Sequence, residues 1–280
     1  MSAGLGLCLL IIPDQSVMKL AVPDSLEHRG HQPETEPKRS ERVRLRQQRP
    51  IPAGGSQRQA MKNYTLPSHN ECQAMIRQCH LPLHILRHSE AVRKMGVFLA
   101  RQLLEKGIPV DVELVDRACL LHDLFRVCDC PLEDFSWFEQ PVTEADKARW
   151  RRLKEENSEH RHEEAAYVFL KDRYPVLAET IRQHKYTAVL DENGGPKSWE
   201  AKLVYYADKR AMHDKIVPLK ERLEEAHQRS ALIFPAEDAD RRAAFESKVD
   251  SLIFALEAEI FSRLDVAPDD VTDESIDDSL

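Results

Sequence analysis

From about residue 87 to residue 263 the apolar positions return every three or four residues, the spacing of one buried helix face. The spacing predicts a helix over Arg87–Lys106, stopped by Gly107 and Pro109, and a second over Val112–Val127 with Asp111 as its N-cap. A third helix begins after Thr143. More are expected over about 160–172, 176–186, 198–215, 218–228 and 238–263. No run shows sustained polar–apolar alternation with hairpin turns, and no internal repeat is visible. The expected class is all-α, a single helical bundle over 61–263.

The two ends lack this pattern. Residues 14–60 are polar, basic and proline-containing, and they offer too little apolar surface to offset chain entropy. Residues 1–60 are expected to be a disordered extension, with Met61 opening the folded part. The apolar run at residues 4–13 is too short for a membrane span and lacks the flanks of a signal peptide. A cytoplasmic location is the resulting expectation. From Leu264 to Leu280 the chain is acidic without Lys or Arg, and it is expected to be a solvated, disordered tail.

Several polar residues occupy positions that packing would give to leucine. His88 shares a face with Val92, Met95 and Leu99, and His122 with Val115, Ala118 and Phe125. His162 aligns with Ala166 and Phe169, His184 with Leu177 and Ile181, and Asp208 with Val204 and Ala211. Asp123 lies one step round from His122. Taken singly, each is as easily a hydrogen-bonded core residue, a helix cap or half of an ion pair. Taken together, two inward carboxylates need neutralising, and four imidazoles beside them form a donor set for divalent first-row metals.

Composition narrows the picture without deciding it. Only 9 glycines against abundant Ala, Leu, Glu and Arg favour helix over sheet. A net charge of -8 argues against a general nucleic-acid binder but leaves room for a local basic pocket. Six irregularly spaced cysteines make no disulfide framework, and the Cys128-x-Cys130 pair has no second pair to complete a metal site. Reduced thiols are expected.

The ordered set His88, His122-Asp123, His162, His184, Asp208 resembles the HD-domain superfamily of metal-dependent phosphohydrolases. The resemblance covers about residues 66–230 and extends to the surroundings "LRHSEAV", "RACLLHDLFR", "HRHEEAAYVFL", "AETIRQH" and "KLVYYADKRAMHDKIVPLKERLEE". The form is close to the HDIG type, with Leu124-Phe125 replacing the usual Ile-Gly. No Gly-Tyr-Pro element follows, which argues against the cyclic-di-GMP phosphodiesterase subclass.

The resemblance implies one divalent metal held by His88, His122, Asp123 and Asp208. It implies a second held by Asp123, His162 and His184, with Asp123 bridging. Mn, Fe, Co, Ni, Zn and Mg all remain open. His160 competes with His162, and is set aside because it points to the opposite side of the same predicted helix. The implied chemistry is attack of a metal-activated water on a phosphate ester or anhydride of a nucleotide or other small metabolite. His122 and Asp123 would be its centre, with Arg126 and Lys209 as cations for the phosphate. Lys185, Arg210, Arg161 and Arg182 are further options, each as readily part of a solvated face. The long segment 127–158, with "EDFSWFE" and Trp150, reads either as a lid or as packing on the core, with packing favoured. Two alternatives stand beside it: a mixed-valence di-iron oxygenase, which uses a similar six-ligand set, and a non-catalytic signalling module, a class that commonly loses ligands, whereas all six are present here.

Overall fold

The computed structural model describes residues 63–132, 135, 138, 140–191, 195–232 and 236–277. The extension expected over 1–60 lies outside the described residues. Helix α1 (His69–Cys79) was not anticipated. It opens on a capping box in which Ser68 and Glu71 exchange hydrogen bonds, and it buries Cys72, Ile76 and Cys79. Helix α2 (Leu83–Glu105) starts a turn earlier than expected and carries Ile85, Val92, Met95, Leu99 and Leu103 into the core.

Helix α3 (Val112–Leu121) begins at its expected cap, where the Asp111 carboxylate accepts from the amides of Glu113 and Leu114. It then stops six residues short of Val127. The chain continues through tight turns, with Leu124 N–H donating to Leu121 O and Arg126 N–H to Asp123 O, into a 3-10 turn at Arg126–Asp129. Periodicity ran past this break because Leu124, Phe125 and Val127 are all buried. Apolar residues pack there whether the backbone is α or 3-10.

Helix α4 (Glu144–Glu156) is capped by Thr143 as expected. Trp150 is fully buried, donates to His80 O at 2.7 Å and stacks with Phe138 and Phe135. These aromatics of the 127–158 segment pack onto the core. Helices α5 (His162–Leu170) and α6 (Pro175–Arg182) pack against each other, α6 entered through Pro175. After a 3-10 turn (Tyr186–Leu190), α7 (Trp199–Arg210) lies against α2 and α3. It ends sooner than expected, in a two-residue antiparallel pair, β1 (Ala211–Met212) and β2 (Lys215–Ile216). The helix ends where Ala211 turns extended, and His213 in the turn between the two strands takes a positive φ of 57°. Helices α8 (Leu219–Ala231) and α9 (Ala239–Phe261) complete the bundle. The class is all-α, and among the described residues the short pair is the only sheet.

The acidic end departs from expectation. A 3-10 turn (Pro268–Asp270) and a short helix α10 (Asp273–Asp277) fold back on the bundle. Val271 and Ile276 are buried, the Arg210 guanidinium donates to Val271 O at 3.0 Å, and Asp273 accepts from Ile216 N–H at 3.2 Å. Two apolar plugs and one buried guanidinium outweigh the solvation of the surrounding acids. Four cysteines, Cys72, Cys79, Cys119 and Cys128, are buried free thiols. No helix among the described residues is long and apolar enough to cross a membrane.

Candidate metal centre

The six sequence-predicted ligands come from five separate places and meet. His88 is on α2. His122 and Asp123 follow the last turn of α3. His162 is the first residue of α5, His184 follows the end of α6, and Asp208 is in the last turn of α7. His122 and His184 were expected inside helices, but both sit just past one. There each ring Nδ1–H donates back to the carbonyl three residues earlier, His122 to Cys119 O at 2.7 Å and His184 to Ile181 O at 2.6 Å. Helix ends leave carbonyls without intrahelical partners, and these imidazoles take one each.

His88 Nδ1–H donates to His213 O at 2.9 Å, and His162 Nδ1–H donates to Asp129 Oδ2 at 2.7 Å. All four rings thus commit Nδ1 to an acceptor. That leaves each Nε2 as the atom aimed inward, the arrangement in which imidazole serves as a metal ligand.

The inward atoms surround the two carboxylates. Asp123 divides its oxygens: Oδ2 lies 3.6 Å from His122 Nε2 and 4.0 Å from His88 Nε2, while Oδ1 lies 3.2 Å from His162 Nε2 and 3.7 Å from His184 Nε2. Asp208 Oδ1 is 3.0 Å from His88 Nε2 and 3.6 Å from His122 Nε2. Asp208 Oδ2 accepts from Lys209 Nζ.

Two features fit a cation here. His122 Nε2 is fully buried and has no hydrogen-bond partner among the described residues. His162 Nε2 and His184 Nε2 face each other at 3.0 Å. With both Nδ1 atoms protonated, these are two lone pairs in contact, and a proton or a metal ion between them relieves the repulsion. A nitrogen–carboxylate donor set of this kind suits divalent first-row metals.

The electrostatics follow from burial and close partners. Burial works against the Asp123 carboxylate, but His122, His162, His184 and Arg126 outweigh it and hold its pKa well below the usual range. Asp208 is likewise held low, by Lys209 and then His122 and His88 against burial. Burial lowers the His184 pKa. At His162 burial is overcome by Glu163 and Asp129, which push the pKa up to about 9.

The cavity around these ligands is also lined by Arg126, Lys209, Arg161, Lys185, Tyr186 and Arg222. Arg126 and Lys209 are both buried beside the ligands, Arg126 Nη1 at 3.2 Å from His162 Nδ1 and Lys209 donating to His184 O at 3.3 Å. Arg210 is directed away, into Val217 O, Tyr206 and Val271 O. Arg182 pairs with Glu164 at 2.8 Å, outside this cavity. His160 is exposed and precedes α5, so it shares no helix with His162.

Sequence reasoning missed Asp129, Glu163 and Arg222. Asp129 lies on the 3-10 turn, where a helical phase carries no information. Arg222 left a signal, since it shares the α8 face of Leu219, Leu223 and Ala226, where packing wants an apolar residue. Residues 85–213 match the family model described as HD domain, a segment that includes all six candidate ligands. No curated protein and no solved structure matches the chain.

Proposed function

We propose that this chain, whose residues 85–213 match the HD-domain family model, is a metal-dependent phosphohydrolase. Its substrate is a phosphate ester or anhydride of a nucleotide or other small metabolite. The observation that carries the reading is the split of Asp123: one oxygen faces His122 and His88, the other His162 and His184. A carboxylate with two occupied sides suits a bridging role between two cations. His88, His122, Asp123 and Asp208 would hold one ion, and Asp123, His162 and His184 the other.

Divalent ions in such a site supply a water acidified enough to attack phosphorus near neutral pH and a Lewis acid for the phosphoryl oxygens. The chain's own residues do the rest. The backbone carbonyls of Cys119, Ile181 and His213 keep three imidazoles in one tautomer, and Asp129 does the same for His162. Arg126 and Lys209 provide fixed positive charge on the cavity wall, where developing negative charge on a phosphoryl group is stabilised without reorganisation. No serine or cysteine nucleophile is required.

The test is a screen of phosphorylated metabolites with Mn, Fe, Co, Ni, Zn and Mg supplied separately, run beside His122→Ala and Asp123→Ala. The expected outcome is metal-dependent phosphate release that both variants lose. Their bound metal falls while a cooperative melt persists, since the helices pack without the ion. A mixed-valence iron signal with no phosphate release across the panel would replace this reading with an oxygenase.

A further inference from the structure

Arg222 enters the cavity from α8, beyond the end of the matched 85–213 segment. Its side chain is about 4 % exposed, and its position is fixed by the main chain and one acid. Nε donates to Ala211 O at 2.9 Å and Nη1 donates to Glu225 Oε2 at 3.1 Å. Nη2 has no hydrogen-bond partner among the described residues, and it is not one of the sealed-off polar atoms.

The charge around it does not balance. Glu225 is shared with a second buried arginine, Arg229, whose Nη2 donates to the same Oε2 at 2.8 Å and whose Nε pairs with Oε1. Two buried guanidinium groups therefore divide one local carboxylate. Asp208 and Asp123 are two further carboxylates that act on Arg222. Both belong to the ligand set, and their charge is committed once a cation binds there. Arg126 and Lys209 stand on the same wall, the first beside Asp129 and the second paired with Asp208, and Glu163 lines the cavity as well, which leaves Arg222 Nη2 the cation with the smallest share of a carboxylate. The cavity is small, about 40 Å³, room for roughly three water molecules. It opens beside a larger groove of about 540 Å³ that shares Arg161, Glu163, Lys185 and Thr187 with it. This layout suits a phosphoryl group at the inner end, beside the candidate ligands, with the remainder of a substrate along the groove.

We propose that Arg222 is a substrate-binding residue that donates Nη2–H to a non-bridging oxygen of a phosphoryl group. This rests on the phosphohydrolase reading above and adds to it a binding residue.

The test titrates inorganic phosphate, a terminal-phosphoryl dianion, into the full-length Mn-loaded protein by calorimetry. Arg222→Met and Arg222→Lys are compared with the wild type, with bound Mn and thermal unfolding measured in parallel. Lysine keeps the positive charge beside Glu225, so it decides the matter if the methionine variant does not fold. Phosphate affinity is expected to fall about tenfold or more in either variant, the size of a lost charge-assisted hydrogen bond. Mn content should stay close to wild type, with a cooperative melt retained in the lysine variant. A folded, Mn-loaded variant that binds phosphate as tightly as the wild type overturns the role of Arg222 and leaves the hydrolase reading standing. Failure of the Mn-loaded wild type to bind phosphate or to release it from any substrate overturns both.

Discussion

His162 donates its Nδ1–H to Asp129 Oδ2 at 2.7 Å, and Arg161 Nη2 donates to the same oxygen at 3.0 Å. Asp129 therefore orients the imidazole that faces Asp123 and His184. Carboxylates in this position fix the ring and raise its basicity, and their loss costs about 10–100-fold in metal affinity. If the proposed two-ion centre holds, Asp129→Ala is expected to weaken one Mn-binding step by that factor and leave the other, built on His88, His122 and Asp208, within a few-fold of wild type. Calorimetric titration reads the two steps. Equal weakening of both would show that Asp129 supports the fold and not one half of the centre.

The α2–α3 contact depends on a missing side chain. A Cβ at Gly96 would lie 2.6 Å from Cys119 Sγ and 3.1 Å from Val115 Cγ1. Gly96→Ala gains about 1 kcal/mol of helix propensity. The clash is expected to outweigh this, at about 1–3 kcal/mol for overpacking. Chemical denaturation should show a net loss of stability. Adding Cys119→Ala removes the nearest clashing atom, so the double variant should be more stable than the sum of the two singles. Simple additivity would place the close approach elsewhere.

Asp146 closes the capping box of α4, where Thr143 N–H donates to its Oδ2 at 2.8 Å. That backbone bond, then the Thr143 hydroxyl and His80, lower its pKa from 3.8 to about 2. The folded state prefers the ionised carboxylate. Its contribution is complete above pH about 4 and is lost as pH falls toward 2. Asp146→Ala should melt below wild type at neutral pH, and the gap should narrow over that acidic window. A gap that stays constant down to pH about 2.5 would contradict the cap as its source.

The C-terminal segment is predicted to be part of the cooperative fold. Ile276 is fully buried, and Lys94 pairs with Asp277 at 2.8 Å. Ile276→Ala should cost about 2 kcal/mol, the lower end for a buried isoleucine because an end segment can undock. Hydrogen exchange should quicken at Val271 and along β2, where Asp273 holds the Ile216 amide. Wild-type exchange at those amides would return this segment to the status of a solvated tail.

Much of the helix pattern was legible because periodicity is local. Asp111 and Thr143 were readable as caps from residue type alone, since a cap needs only its own next three amides. The ligands were legible for a related reason. A histidine or aspartate at a core position of its own helix stands out against apolar neighbours, as His88 does against Val92, Met95 and Leu99. Arg126 and Lys209 could be paired with the site because each lies within one turn of a ligand. The ends of α3, α6 and α7 were not legible. Apolar residues continue past α3 and α7, at Leu124, Phe125, Ala211 and Met212, and past α6 the buried His184 and Tyr186 keep the inward spacing, while the backbone beneath changes to tight turns or a strand pair.

The chain order of residues was enough to name an all-α class and six inward-facing donors, because burial on one helix face follows from spacing of a few residues. It could not say which nitrogen of each imidazole points inward. That depends on carbonyls exposed where helices stop, at Cys119, Ile181 and His213, and on Asp129 brought in by a 3-10 turn. It could not divide the Asp123 oxygens between two histidine pairs, nor bring Arg222 into the cavity with half a share of Glu225. Those arrangements are set by how helices cross and end, and such geometry is decided by packing between segments far apart in the chain.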